Sequence, residues 1–474
     1  MERNGEYIDA SSRMLDYRGV RDLYSQNSVY QAWLDIEAAV ALTQSEMGII
    51  PADAGAKIAA HCVLDKLDLD RVEKQFATVR HPLVPLLNEL VRQCGDYAGK
   101  YVHWGLATQN IQQTGTLYLA KRGHDVLLDV LTDILDRLGA LAIEHADVEM
   151  AGRTHGQHAV PITFGFKLAI WIDELLQAYE RLKSVEKRVF TAMMGGAVGC
   201  YSALGDVGPE MQKRVAERLG MYQMALPSRS NRTHMCEYVQ LLALTATSFH
   251  KIAEEVAQSS AAEYGELYEV FSHGVVGSST MPQKVNPKLS MGIMANCQKL
   301  YGLSSMILNT AYRPFEGDAC ANVVYDNGVA EAMEVAIGIF VRAEALIAGL
   351  TPDLERMRQN LNLSNGLIFS EGIMMKAAQT LGKHEAHDLV YDAAMAARKE
   401  RKPFIDLLAT SKLVDILFER REDGLHFDMT GQYGLSPQIA REFGTKAREL
   451  RRTHHAASGM NAAPVQDPAP SSVA

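Results

Sequence analysis

The sequence predicts an all-α protein built on an elongated helical bundle. Three observations carry that reading. Apolar residues recur at helical spacing through several stretches near or beyond 25 residues. Almost no stretch alternates apolar and polar residues as a half-buried strand would. Ala, Leu and Met abound while Phe, Trp and Tyr make up 7% of the chain, which favours helix. At 474 residues the chain has room for two or three domains and a large core.

Residues 1–24 read as polar and irregular. Ser28-x-x-Gln31 has the form of a capping box, and Val29, Trp33, Ile36 and Val40 then recur at helical spacing as far as Gly48. Ile50-Pro51 breaks the chain, short helical pieces fill 52–98, and Thr78-Val79-Arg80-His81-Pro82 interrupts them. A turn region follows at 101–110. A long helix is expected from Thr114 to about Ala146, with Leu117, Leu128, Leu131, Leu135, Leu138 and Ala142 in its stripe. Residues 151–158 break it. A second long helix is expected over 164–190, a third over 232–267, a fourth over 287–311 and a fifth over 327–350. The glycine-rich turn Gly195 to Gly199 lacks the Lys-Ser/Thr of a phosphate loop, so no nucleotide site is read there.

These patterns divide the chain into an N-terminal helical domain at 1–113, a central bundle at 114–351 and a smaller C-terminal helical domain at 352–452. In the last, 369–381 and 385–398 read as helices. The Ala, Pro and Ser-rich end, 453–474, reads as a disordered tail. Broad apolar faces on long helices invite packing between copies of the chain.

Composition narrows the function classes. The net charge is −10 with both signs dispersed, which leaves no basic face for nucleic acid. No apolar run reaches membrane length and no signal pattern opens the chain. Six widely separated cysteines, at 62, 94, 200, 236, 297 and 320, show no zinc spacing and read as reduced, mostly buried thiols. The expectation is a cytoplasmic protein without metal.

Function points to Gly274 to Pro287, GVVGSSTMPQKVNP. Gly274 and Gly277 free the backbone at the front. Ser278, Ser279, Lys284 and Asn286 then bring hydroxyls, an ammonium and an amide. Asn286-Pro287 reads as an N-cap followed by the first helical residue. A loop carrying these groups into the partly positive start of a helix suits an anion.

Residues 277–287, GSSTMPQKVNP, resemble the signature G-S-S-x-M-P-x-K-x-N-P of the fumarase/aspartase superfamily. Its members include fumarase, aspartase, argininosuccinate lyase, adenylosuccinate lyase and 3-carboxy-cis,cis-muconate cycloisomerase. The likeness extends from about residue 20 to about residue 410. It implies a three-domain fold whose central bundles pair into a homotetramer, with each active site shared between subunits. It also implies an anti β-elimination from a succinyl-type dicarboxylate, most simply a C–N cleavage releasing fumarate, with no cofactor. Lactonisation of a carboxymuconate, cleavage of adenylosuccinate and cleavage of a nitrosuccinate are the alternative reactions. A non-catalytic scaffold, as in the eye-lens relatives of argininosuccinate lyase, is disfavoured by the complete motif set.

Such an elimination needs a base, an acid and fixed donors for the dianion that forms. By resemblance, Ser278 is the general base. Lys284 and Asn286 hold substrate carboxylates, and Met281 shapes the loop against the substrate. Gly152-Arg153-Thr154-His155 is similar to the family's G-R-T-H motif, so Thr154 binds a carboxylate and His155 is or assists the general acid. His103 to Asn110 is similar to H-x-G-x-T-S-x-D, with His103, Thr108 and Gln109 on the substrate side. Arg80-His81 and Arg232 match further substrate-side positions of the adenylosuccinate branch. Ala107, Asn110, Gln113, His234 and Gly317 depart from that branch. Ala107 stands for a threonine, Asn110 and Gln113 stand for two acids and so make one corner less negative, and the last two remove cations that would hold a nucleotide.

Overall fold

The computed structural model describes residues 5–9, 11–270, 278–422, 424–427 and 432–458. Gly274 and Gly277, expected to free the loop, lie outside them. The elements follow in chain order: α1 (Gln26–Glu46), α2 (Ala52–His61), α3 (Leu69–Val79), α4 (Val84–Ala98), α5 (Thr108–Glu144), β1 (Glu149–Thr154), β2 (Gln157–Thr163), α6 (Phe164–Val189), β3 (Thr191–Ala192), α7 (Gly208–Arg218), β4 (Tyr222–Gln223), α8 (Thr233–Ser259), β5 (Leu267–Tyr268), α9 (Lys288–Leu308), α10 (Ala319–Ala348), β6 (Thr351–Pro352), α11 (Leu354–Asn362), α12 (Ser370–Leu381), α13 (Lys383–Glu400), α14 (Phe404–Ala409), α15 (Val414–Leu417), β7 (Phe418–Arg421), β8 (Gly424–Phe427) and α16 (Ser436–Ser458). The five long helices expected from periodicity are all present. No helix among the described residues is long and apolar enough to cross a membrane.

The chain divides into two compact units. The first takes Met1–Leu131, Gln177–Ala253 and Lys288–Ala345. One part of its core joins α1, α2, α4 and α7 through Leu34, Ile36, Ile58, Leu86, Leu90 and Val215, each fully buried. Elsewhere Phe249 of α8 meets Phe340 of α10 edge-on at 4.8 Å between ring centres. Residues 5–9 and 11–24 are irregular, as expected, apart from a short 3-10 turn at Ser11–Arg13, yet they are tied to the core. Buried Arg342 of α10 donates from Nη1 to Glu6 Oε2 at 2.6 Å, and Tyr17 donates to Glu6 Oε1 at 2.6 Å. The Arg342 and Glu6 side chains are each at most 1% exposed. A buried charge must be paired, so this bond fixes the segment.

The second unit takes Thr132–Leu176, Glu254–Pro287 and Leu346–Ala474. Helices α11 to α15 close around Leu361, Ile373, Ala377, Ala386, Phe404, Leu408 and Leu413, with Ala151 of β1 against them. Strand β1 pairs antiparallel with β2, β5 with β6, and β7 with β8. Helix α16 runs on to Ser458, so the first residues of the expected tail are helical. Residues 459–474 lie outside the described set.

Some boundaries shifted for local reasons. Ser25, not Ser28, caps α1: its side chain accepts the Ser28 N–H at 3.3 Å. Helix α8 stops at Ser259 because the chain turns into β5 rather than continuing to Leu267. Helix α9 starts at Lys288, one residue beyond the Pro287 start expected from the sequence. The thiols of Cys62, Cys236 and Cys297 are buried, but Cys200 and Cys320 are exposed.

Candidate active site

Within the second unit, the G-R-T-H segment forms the end of a β-hairpin. Thr154 pairs with Gln157 across a two-residue turn, His155-Gly156, and both turn residues have positive φ, +53° and +74°. That is the signature of a type I′ hairpin turn, whose twist matches paired strands. Gly156 adopts it freely, whereas an L-residue such as His155 carries a cost there. The turn presents Thr154 and His155 to solvent. Arg153, one residue back, fixes the hairpin. Its two terminal nitrogens donate to Glu266 at 2.6 and 2.8 Å, and its guanidinium lies 5.3 Å from the Tyr264 ring centre. Glu266 is 1% exposed and also accepts from Asn360 Nδ2 at 2.8 Å. His158 faces Arg153 across the strands and is half-buried, with burial drawing its pKa down.

The signature loop belongs to the same unit. Ser278 Oγ accepts the main-chain N–H of Met281 at 3.2 Å and, more loosely, that of Thr280 at 3.5 Å. Two N–H dipoles aimed at one hydroxyl oxygen favour its anionic form. Lys284 N–H closes a turn onto the Met281 carbonyl at 3.0 Å. Its ammonium is exposed and has no partner among the described residues. Met281 is 41% exposed, and Asn286 is half-buried just ahead of α9. No hydrogen bond among the described residues joins Ser278 or Lys284 to Thr154 or His155.

In the first unit, Thr108 and Gln109 open α5, and His81 reaches the first of them. His81 Nδ1 accepts the N–H groups of Leu83 and Val84, both at 3.2 Å, and so caps α4. An acceptor role at Nδ1 puts the neutral ring's proton on Nε2, which points at Thr108 Oγ1 at 3.4 Å. Burial lowers the His81 pKa, in keeping with a neutral ring. Arg80 is exposed, with φ +53°, and ends α3. His103, also at positive φ, bonds through Nδ1 to buried Glu37 Oε1 at 2.7 Å, leaving Nε2 without a partner among the described residues.

Gln109 and Arg232 meet through a residue the sequence did not single out, Asn322. Arg232 donates from Nη2 to Asn322 Oδ1, and Asn322 Nδ2 donates to Gln109 Oε1 at 3.3 Å. Asn322 carried no sequence signal, because only the packing of α5 and α10 joins positions so distant in the chain. Glu37 and Glu266 were missed for the same reason.

Two of the sequence departures are buried. Asn110 is buried; its Oδ1 accepts from Ala107 N at 3.0 Å and Gly196 N at 3.2 Å, while Nδ2 donates to Gly196 O at 3.1 Å. An aspartate could not make the last bond, so Asn110 serves to brace the glycine-rich turn. His234 is buried, and its pKa is pulled down to about 4 by desolvation.

Long helices, a G-R-T-H hairpin and a serine loop running into a helix define an all-helical lyase fold of the fumarase/aspartase type. The chain belongs to the lyase family of that superfamily: residues 18–302 match the family described as Lyase, and 366–443 match the adenylosuccinate lyase C-terminus. It is 32% identical over 389 residues to N-acetyl-S-(2-succino)cysteine lyase of Dickeya dadantii (strain 3937), spanning 82% of this chain and 86% of that one. It is also 32% identical over 442 residues to adenylosuccinate lyase of Methanocaldococcus jannaschii, spanning 90% and 94%. Among solved structures it resembles the 3-carboxy-cis,cis-muconate lactonizing enzyme from Pseudomonas putida, with TM-score 0.81 and 25% identity over 94% and 99% of the two chains. The protein is therefore an enzyme, a lyase of this superfamily.

Proposed function

We propose that the enzyme eliminates a heteroatom leaving group from a succinyl-type dicarboxylate and releases fumarate, with C–N cleavage as the lead reaction. The observation that carries this is the uninterrupted signature at 277–287, with two N–H groups directed at Ser278 Oγ. As an alkoxide, Ser278 takes a proton from the carbon next to one carboxylate. The electron pair left behind forms an aci-carboxylate dianion, which then expels the nitrogen as the carbon–carbon double bond forms. The leaving nitrogen takes up a proton on the side served by His155. An imidazole suits that transfer near neutral pH.

Lys284, Asn286, Thr154 and Thr108 are the proposed holders of the two carboxylates. Gln109, His103, Arg80, His81, Met281 and Arg232 complete the proposed substrate side. In this reading the functional groups converge from different copies of the chain in a homotetramer. The exposed setting of Thr154, His155 and Lys284 is compatible with groups that act across such a boundary.

A second reading has C–S cleavage in place of C–N, favoured by the likeness to a succinocysteine lyase. The test is a panel of N- and S-succinyl compounds, with fumarate release followed by its ultraviolet absorbance. Fumarate from an N-linked substrate supports the lead, and release from thioethers alone supports the second reading. Lactonisation of a carboxymuconate without any fumarate release overturns both.

A further inference from the structure

A cavity of about 570 Å³ lies in the first unit, between the end of α6 and the start of α8. That volume is typical of a small-molecule site. None of the residues proposed to touch the substrate lines it. His234 and Arg232 are two positions apart where α8 begins, so their side chains leave on opposite sides. Arg232 reaches Asn322 of α10, whereas His234 lines this cavity.

Two polar atoms in its wall are buried and unsatisfied. Thr191 is 4% exposed and His234 is 9% exposed. Thr191 Oγ1 and His234 Nε2 each lack a hydrogen-bond partner among the described residues. Buried polar groups are nearly always paired, because an unpaired one loses its hydration without return. The two residues come from different elements. Thr191 sits in β3, paired in parallel with Tyr222 of β4, and His234 sits in the first turn of α8. Their meeting at one cavity is therefore a product of the fold.

The cavity also carries one unmatched charge. Arg188 is engaged by Glu237, to which its Nε donates at 2.7 Å and its Nη2 at 2.5 Å. Lys187 is exposed and has no partner among the described residues. His234 adds no second positive charge near neutral pH, since burial draws its pKa down to about 4. A neutral imidazole nitrogen and a threonine hydroxyl can each supply a hydrogen bond. One free cation with two neutral hydrogen-bonding groups matches a monoanion, whereas a dianion would bring a second charge close to Glu237. Met224, Ala225 and Leu226 supply an apolar wall, and Leu226 is 65% exposed. Covering it would remove apolar surface from water.

We propose that this cavity is a binding site for a small amphiphilic monocarboxylate. The carboxylate takes the Lys187 ammonium and hydrogen bonds from Thr191 Oγ1 and His234 Nε2, and the hydrocarbon end lies on Met224 and Leu226. The proposal goes beyond the succinyl-lyase reading and does not depend on which compound the enzyme cleaves.

The test is calorimetric binding of hexanoate and of 1-hexanol to the full-length protein. Wild type should bind hexanoate about ten- to a hundred-fold more tightly than the alcohol, the range of a charge-assisted hydrogen bond. Lys187→Gln, at an exposed and unpartnered position, should remove most of that preference without lowering the melting temperature. Thr191→Val keeps the side-chain shape and removes the unpaired hydroxyl. It should weaken hexanoate about ten-fold while the melting temperature holds or rises. Lys284→Gln, in the signature loop, should leave hexanoate binding unchanged. Absence of hexanoate binding overturns the proposal, as does equal binding of acid and alcohol by wild type. So does a loss of hexanoate binding in Lys284→Gln but not in Lys187→Gln, because the acid is then held at the signature loop. Binding is read without turnover, so failure of every panel compound to release fumarate would count against the succinyl reading alone.

Discussion

Arg153 and Glu266 form a two-pronged ion pair, at 2.6 and 2.8 Å, that fixes the base of the hairpin carrying His155. Glu266 is nearly fully buried, so removing its arginine strands a charge. Arg153→Ala should cost about 3–5 kcal/mol of stability. Thermal melting checks the loss. A change within about 0.5 kcal/mol would show that Asn360 and solvent suffice for Glu266.

His155 occupies a left-handed turn position for which asparagine is better suited. His155→Asn should therefore preserve the melting temperature. If the imidazole assists proton transfer, kcat should fall about 10²–10⁴-fold. A variant with full turnover would make residue 155 a turn former only.

Ser278→Ala removes the proposed base from a loop that is largely exposed. Turnover should drop by about 10²–10⁴-fold or more, with melting temperature and assembly unchanged. Retention of most of the rate assigns the proton abstraction elsewhere.

Buried histidines make the fold acid-sensitive. His234 is held neutral by burial down to about pH 4, against an ordinary value of 6.5. Burial lowers His81 and His124 as well. The unfolded chain takes up these protons first as pH falls, so stability is full above about 6.5 and declines below it. His234 alone accounts for about 3 kcal/mol between pH 6.5 and 4. Asp326 works in the opposite sense: its folded pKa of about 6 lies above the ordinary 3.8, so it adds stability as pH falls. Denaturant titrations at several pH values should show His234→Gln flattening the decline and Asp326→Asn steepening it.

The long helices were legible because their apolar stripes span many turns and average out local exceptions. The serine loop was legible because its eleven residues are contiguous. The hairpin at 149–163 was not, although His155-Gly156 between Thr154 and Gln157 was a usable turn signal. Its strands are short, and bulged between Ala151 and Arg153, so alternation is weak. Asn322, Glu37 and Glu266 could not be found from sequence, because each acts on a partner more than sixty positions away. What surrounds Gly317 had no local signal in the sequence, since Arg229 lies far from it along the chain. Asn110, read as a change of charge near the substrate, also braces a neighbouring turn, which the sequence did not show.

The bond between Glu6 and Arg342 ties the opening of the polypeptide to a helix more than three hundred positions later. Positions 6 and 342 therefore cannot vary independently. A neutral residue at either one alone leaves an ion shut away from water, whereas apolar partners of matching volume introduced at both together should be tolerated. A shortened chain beginning after Asp9 would unseat α10 near its C-terminal end, far from the cut.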